Sequence, residues 1–100
     1  MTWTTQPRSK LADLAAVVVG DGPNHLFIHG VGLRAEAWNA QIARFAPQHR
    51  VIAVDMPGHG GSPALQTRPS LPAYTDMIAA VLAEPAVVIG HSMGAMIALD

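Results

Sequence analysis

The chain contains no cysteine. That excludes a disulfide framework, a thiolate nucleophile and a zinc–thiolate site for these residues. Charge is scarce too: Asp, Glu, Lys and Arg make up 13% of 100 residues, against roughly 25% in an ordinary soluble domain. Such a surface is suited to being covered by something else. The formal net charge is −1, so no basic field points to nucleic acid or to an anionic membrane. No apolar run approaches the roughly 18 residues that a membrane-spanning helix needs. The start, Met1-Thr2-Trp3-Thr4-Thr5-Gln6-Pro7, lacks the charged segment and following apolar stretch of a signal peptide. The simplest expected compartment is the cytoplasm. No internal repeat and no low-complexity segment is visible.

Half of the residues are hydrophobic, enough in composition for a packed core in a chain of single-domain size. Leu14 to Val19 is a short apolar run closed by Gly20-Asp21-Gly22-Pro23, a strong turn signal. Leu26-Phe27-Ile28 predicts a second strand, and Val51-Ile52-Ala53-Val54, within Arg50 to Asp55, a third. The third is continuously apolar, the pattern of a strand buried on both faces of a parallel sheet. Between them Ala35 to Ala46 reads as a helix, with Trp38, Ile42 and Phe45 on one face and Pro47 after its end. Met56 to Pro69 is loop, rich in glycine and proline. Ser70 to Ala83 predicts a helix with Tyr74, Met77, Ile78, Val81 and Leu82 as its apolar stripe, stopped at Pro85. A strand at Ala86 to Ile89 and a final helical run complete the chain. Strand alternating with helix predicts an α/β fold, a mostly parallel sheet with flanking helices.

The last strand runs into Gly90-His91-Ser92-Met93-Gly94. A serine at G-x-S-x-G on a strand-to-helix turn is presented as a nucleophile: the turn strains the serine backbone, and its hydroxyl stands clear of the sheet. The flanking glycines leave room where a Cβ would clash. Two earlier turns, His29-Gly30-Val31-Gly32 and Asp55-Met56-Pro57-Gly58-His59-Gly60-Gly61-Ser62, would lie at the same carboxyl edge, where open α/β sheets bind ligands.

The ordered set H-G-x-G, D-x-P-G-H-G-x-S and G-H-S-M-G resembles the N-terminal part of the α/β-hydrolase superfamily, from about Leu14 to the chain end. The resemblance implies that residues 1–100 are the N-terminal part of a single, incomplete α/β-hydrolase domain, cut just past the nucleophile strand. It implies Ser92 as nucleophile and the backbone N–H groups of Val31 and Met93 as oxyanion donors, with Gly30 and Gly32 shaping the substrate side. The helix opening near Met93 adds its positive end. Ala95 stands where many relatives carry another glycine. The resemblance also implies that the triad acid and histidine follow later in the chain, so that Ser92 within these residues alone is unactivated and the chain alone inactive. The expected reaction is esterase-like: attack on the carbonyl of an ester, lactone or thioester, giving an acyl-enzyme that water resolves. The scaffold also hosts carbon–carbon hydrolysis, perhydrolysis and cyanohydrin cleavage. Serine at the elbow argues against dehalogenase and epoxide hydrolase chemistry. Neither a metal nor an organic cofactor is required. In the superfamily's usual strand order Ala86–Ile89 is central; here it would be an open apolar edge, which invites pairing. The expected partners are therefore a small acyl substrate, plus the remainder of the polypeptide or a complementary chain, a further copy of this one included.

The histidines read more plainly. His91 precedes the nucleophile and points away from it. His29 and His59 are expected to fix loops by hydrogen bonds, and Asp55 to bind the glycine-rich loop after it. His25 and His49, at strand starts on the opposite edge, are expected to face solvent. A metal site from His29, His59 and Asp55 lacks tight ligand spacing. Met77, Met93 and Met96 read as core or pocket lining. Two rival functions remain. Gly30-x-Gly32-x-x-Ala35 after a strand, with Asp55 ending the next one, also fits the dinucleotide-binding fingerprint, although it leaves the loop after Asp55 and the elbow without a role. The other makes the elbow a relic and the chain a non-catalytic binding or interaction module.

Overall fold

The computed structural model describes residues 5–65, 70–82, 84–91 and 93–99. Among them β1 is Ser9–Leu11, β2 Leu14–Val19, β3 Asn24–Ile28, β4 Arg50–Val54 and β5 Ala86–Gly90. They form one sheet in the order β1-β2-β4-β3-β5. The parallel part expected from the sequence is β4-β3-β5, and the β1–β2 hairpin adds to it antiparallel through β2. Three helices follow: α1 Asn39–Phe45, entered through a 3-10 turn at Ala35–Trp38, α2 Leu71–Ala79 and α3 Met93–Leu99.

The strand order dictates where the helices go. From β3 the chain crosses to β4 on one side, and from β4 it crosses back past β3 to β5. Right-handed crossovers in opposite directions place α1 and α2 on opposite faces of the sheet. Successive side chains of the central strands then meet different layers. Leu26, Ile28, Ile52 and Val54 pack with Ile78, Val81 and, from α3, Ile97. Phe27, Val51 and Ala53 point the other way, onto Ala35 and Ile42. Trp38 seals that layer, its ring centroid 5.0 Å from that of Phe27. This double burial is why β3 and β4 read as unbroken apolar runs.

Some boundaries differ from the sequence reading, each for a local reason. β1 is only three residues long and too short to show alternation; it exists because a tight turn, with Ala12 at φ 51°, folds it back on β2. The helix expected from Ala35 starts instead as a 3-10 turn, with the Ala37 N–H bonded to Arg34 O. The Ser70 hydroxyl caps α2 by accepting from the Ala73 N–H. That helix ends at Ala79, and Val81 and Leu82 continue in tighter turns bonded to Ile78 O and Ala79 O. His25 and His49 do not face solvent as expected. Both are half-buried, their ring centroids 4.1 Å apart, and the His25 ring stacks on Phe45 at the end of α1.

β5 lies at the sheet edge among the described residues, with Val87 55% and Val88 36% exposed. Among these residues no helix is long and apolar enough to cross a membrane.

Candidate active site

β3, β4 and β5 are parallel and in register, so the turns that follow them emerge at one edge, the turn after β3 between the other two. The turn after β5 carries the elbow. Ser92 itself lies outside the described residues; its neighbours fix where the turn sits. The His91 N–H donates to Ile28 O at 3.0 Å, extending the β5–β3 ladder one step beyond the strand. The Gly94 N–H donates to His91 O at 3.0 Å, closing the turn into α3. Gly94 sits hard against β3: a Cβ there would come within 2.2 Å of Ile28 O and 2.9 Å of His29 O. Only glycine allows α3 this approach. Met93 is the first residue of α3. The His91 ring is exposed and lines a cavity of about 290 Å³ with His29, Leu33, Ala37, Trp38 and Gln41.

The turn after β3 lies alongside. Gly30 O accepts from the Leu33 N–H at 3.2 Å, and Gly32 holds φ +82°, a conformation L side chains rarely adopt. Val31 is 65% exposed at the tip. Among the described residues its N–H meets no acceptor. The Gly32 N–H donates to His59 Nε2 at 3.1 Å. A His59 Nε2 that accepts carries no proton, and the ring's proton sits on Nδ1, which donates to Pro57 O at 3.0 Å. His29 is built the same way. It is fully buried, donates from Nδ1 to Gly30 O at 2.7 Å and accepts the Met56 N–H on Nε2 at 3.0 Å. Burial holds His29 below the usual imidazole range, against a weaker opposite pull from its bond to Gly30, so it stays neutral. Both histidines fix loops, as expected.

Asp55 is buried and holds the site together from behind. Its Oδ1 accepts the Ala35 N–H at 2.8 Å and its Oδ2 the Gly61 N–H at 2.9 Å. Arg8 donates to the same carboxylate, from Nε to Oδ2 at 2.7 Å. The Arg8 guanidinium also grips both oxygens of Glu36, which is 2% exposed and takes a further bond from Arg34 Nε at 2.9 Å. The Gln6 N–H completes the set at Glu36 Oε2, 2.9 Å away. Burial pushes the Asp55 carboxyl up, but Arg8, then the Gly61 and Ala35 N–H groups, outweigh it and leave it below the ordinary carboxylate value. The Arg8 bonds hold Glu36 down to about 2, against burial. Arg8 in turn is raised, first by its bond to Glu36.

A family model, the alpha/beta hydrolase family, matches residues 26–100. The chain belongs to the alpha/beta hydrolase family. It is 43% identical over 82 residues to an (E)-2-((N-methylformamido)methylene)succinate hydrolase of Acinetobacter baylyi, covering 78% of this chain and 31% of that protein. It is 36% identical over 80 residues to a pimeloyl-[acyl-carrier protein] methyl ester esterase of Aeromonas hydrophila, covering 79% of this chain and 32% of that one. Among solved structures, E-2-(acetamidomethylene)succinate hydrolase superposes with a TM-score of 0.80 at 30% identity, covering 89% of this chain and 35% of that one. The chain thus spans about a third of the length of these relatives.

Membership of the alpha/beta hydrolase family accounts for the loop that the dinucleotide reading left idle, and the geometry removes what that reading needed. Its acid, Asp55, is wholly buried with both oxygens engaged. The Gly32 N–H, where the backbone would approach a pyrophosphate, is bonded to His59 Nε2, and a 3-10 turn rather than an α-helix follows the loop. The weighed metal set fails similarly: the ring nitrogens of His29 and His59 and the oxygens of Asp55 are all held by protein partners. A larger cavity, about 810 Å³, opens between the β1–β2 hairpin and α2, and none of its lining comes from the turns after β3 and β5. Sequence reasoning missed Arg8 and Glu36. No spacing rule links residues 8, 36 and 55; an arginine just before the first strand and an acid at the head of a predicted helix were the only traces.

Proposed function

We propose that the whole protein is a serine hydrolase and that residues 1–100 form the nucleophile-bearing first part of its single alpha/beta hydrolase domain. Ser92 Oγ attacks the carbonyl carbon of an ester, lactone or thioester. Its proton passes to a histidine supplied by the rest of the protein, and the alcohol or thiol leaves with a proton. Water then adds to the acyl-enzyme and releases the acid and Ser92. The N–H groups of Val31 and Met93 hold the oxygen that becomes negative in each addition. No step calls for a metal or an organic cofactor.

The observation that carries this reading is the pairing at the end of β3. The loop with the exposed Val31 leaves that strand directly, and the elbow is tied to it through the His91 N–H to Ile28 O bond and the Gly94 contact. Nucleophile and oxyanion donors would then share one rigid support, as pre-organised charge stabilisation requires. The hydrolase and esterase names of the relatives point the same way. The rest of the polypeptide would cover Val87 and Val88 on β5 and bring the triad acid and histidine.

The test is labelling of the whole protein by a fluorophosphonate together with turnover of short acyl esters. Both are expected in the wild type and neither in Ser92→Ala. Near-wild-type turnover by that variant would exclude Ser92 as nucleophile. Binding of acyl ligands with no turnover and no labelling of the wild type would favour the non-catalytic reading.

A further inference from the structure

We propose that His59 is a positioning residue of the oxyanion loop, steadying the Val31 N–H by accepting the hydrogen bond of its neighbour Gly32. The proposal rests on the serine hydrolase reading above and adds a residue to that site.

Hydrogen bonds rather than packing hold the loop where Val31 sits. Val31 is 65% exposed, and a Cβ on Gly32 would meet nothing within 4 Å, so packing does not fix this stretch. Its internal bond, the Leu33 N–H to Gly30 O, sets the curvature of the turn but not its direction. Three contacts set its direction: the His29 Nδ1–H on Gly30 O, the Ala35 N–H on Asp55 Oδ1 and the Gly32 N–H on His59 Nε2. The first holds the carbonyl end of the Gly30–Val31 peptide from a buried ring, and the second lies at the exit, beyond Arg34. The third holds the peptide on the other, exposed side of Val31. Rotation of the Val31–Gly32 peptide moves the Gly32 N–H off His59 and swings the Val31 unit with it.

His59 is equipped to act as a fixed acceptor. Its Nδ1–H is committed to Pro57 O at 3.0 Å, which leaves the lone pair of Nε2 facing Gly32. Its backbone is pinned on both sides, the N–H to Met56 O and the carbonyl to the Ser62 N–H, each at 2.9 Å. Its ring packs against His29, centroids 5.1 Å apart, and His29 is buried and bonded at both nitrogens. The acceptor therefore stands on a rigid loop, whereas the group it steadies lies on an exposed one. Supporting contacts of this kind hold catalytic geometry to fractions of an ångström.

The experiment compares His59→Phe and His59→Gln with wild type and with Ser92→Ala, all in the whole protein. Phenylalanine keeps a ring against His29 but accepts no hydrogen bond; glutamine retains an acceptor. His59→Phe is expected to lose about tenfold or more in kcat on short acyl esters, with KM within about twofold, since a misaimed oxyanion donor weakens only the transition state. Fluorophosphonate labelling slows in parallel, thermal stability stays close to wild type, and His59→Gln recovers most of the rate. Wild-type kcat in His59→Phe overturns the proposal. So does an equal loss in both variants that tracks a fall in Tm, which marks a purely structural histidine. Should Ser92→Ala still turn over, the hydrolase reading fails and takes this proposal with it. A dead Ser92→Ala beside a fully active His59→Phe sinks only the positioning role.

Discussion

Arg8 Nε donates to Asp55 Oδ2 at 2.7 Å, joining residues 47 positions apart and tying the N-terminal segment to the back of the candidate site. The same guanidinium holds Glu36, so one cation stands between two buried carboxylates that would otherwise repel each other, and Arg34 pairs with Glu36 from the outer side. Replacing it with an apolar side chain leaves Asp55 without its cation and Glu36 with the half-exposed Arg34 alone. Arg8→Met is expected to destabilise the protein by about 3–5 kcal/mol, the range for breaking a buried ion pair from one side. Denaturant titration of the variant against wild type measures this. Arg8→Lys is expected to recover only part, because an ammonium does not match the forked contacts to both acids.

Acid should unfold the protein in two stages. His29 is held below its usual 6.5, chiefly by burial, so its contribution is full above that value and declines as the pH falls and the unfolded chain takes up a proton the folded one resists. Glu36 is held at about 2 against a usual 4.5, so its contribution is full above pH 4.5 and is lost as the pH falls toward 2. Asp55 acts in the same direction. Denaturant midpoints measured between about pH 7 and pH 3 should fall throughout, and Arg8→Met should flatten the lower part of that curve.

Gly94→Ala places a Cβ within 2.2 Å of Ile28 O, a backbone atom that cannot step aside. α3 must lift from β3 to accept it. The expected cost is about 1–3 kcal/mol of stability, in the manner of an overpacked core. Because the elbow moves with α3, fluorophosphonate labelling should be lost even in the fraction that remains folded. A variant that labels like wild type would show that the elbow does not depend on this approach.

The Ser62 hydroxyl bridges β2 to the loop after β4, accepting from the Ala15 N–H at 2.8 Å and donating to Asp55 O at 2.6 Å. It takes the place of a ladder rung where the β2–β4 pairing stops. Ser62→Ala strands a buried donor and a buried acceptor and should cost about 1–3 kcal/mol. A thermal melt of the variant, with activity assayed below the transition, separates this from any effect on the site.

The layer arrangement was legible in the sequence because the forces that set it leave periodic marks. Val51 to Val54 is apolar without a break since both faces of β4 are covered, and Pro85 and Gly90 punctuate β5 where chain direction changes. The roles of His29, His59 and Asp55 as loop fixers were legible because each stands in a turn with backbone groups in reach. β1 was not, since Ser9-Lys10-Leu11 is too short to show a period and gains strand form only from the partner it folds back on. Nor was the fate of His25, whose ring is covered by Phe45, a residue twenty positions later on a different element. Arg8 and Glu36 were invisible for the same reason: charge pairing at long sequence separation has no period.

The central place of β3 has a bearing on how the chain is made. One flank of that strand is closed by β4, but the other waits for Ala86–Gly90. At ordinary ribosomal speed about 3–12 s separate the synthesis of these two segments. Throughout that interval Leu26, Phe27 and Ile28 present an unfinished backbone edge to whatever else is in the cell. The nascent polypeptide is thus most exposed to wrong pairing while its elbow has yet to be translated, and holdase chaperones would find their target there.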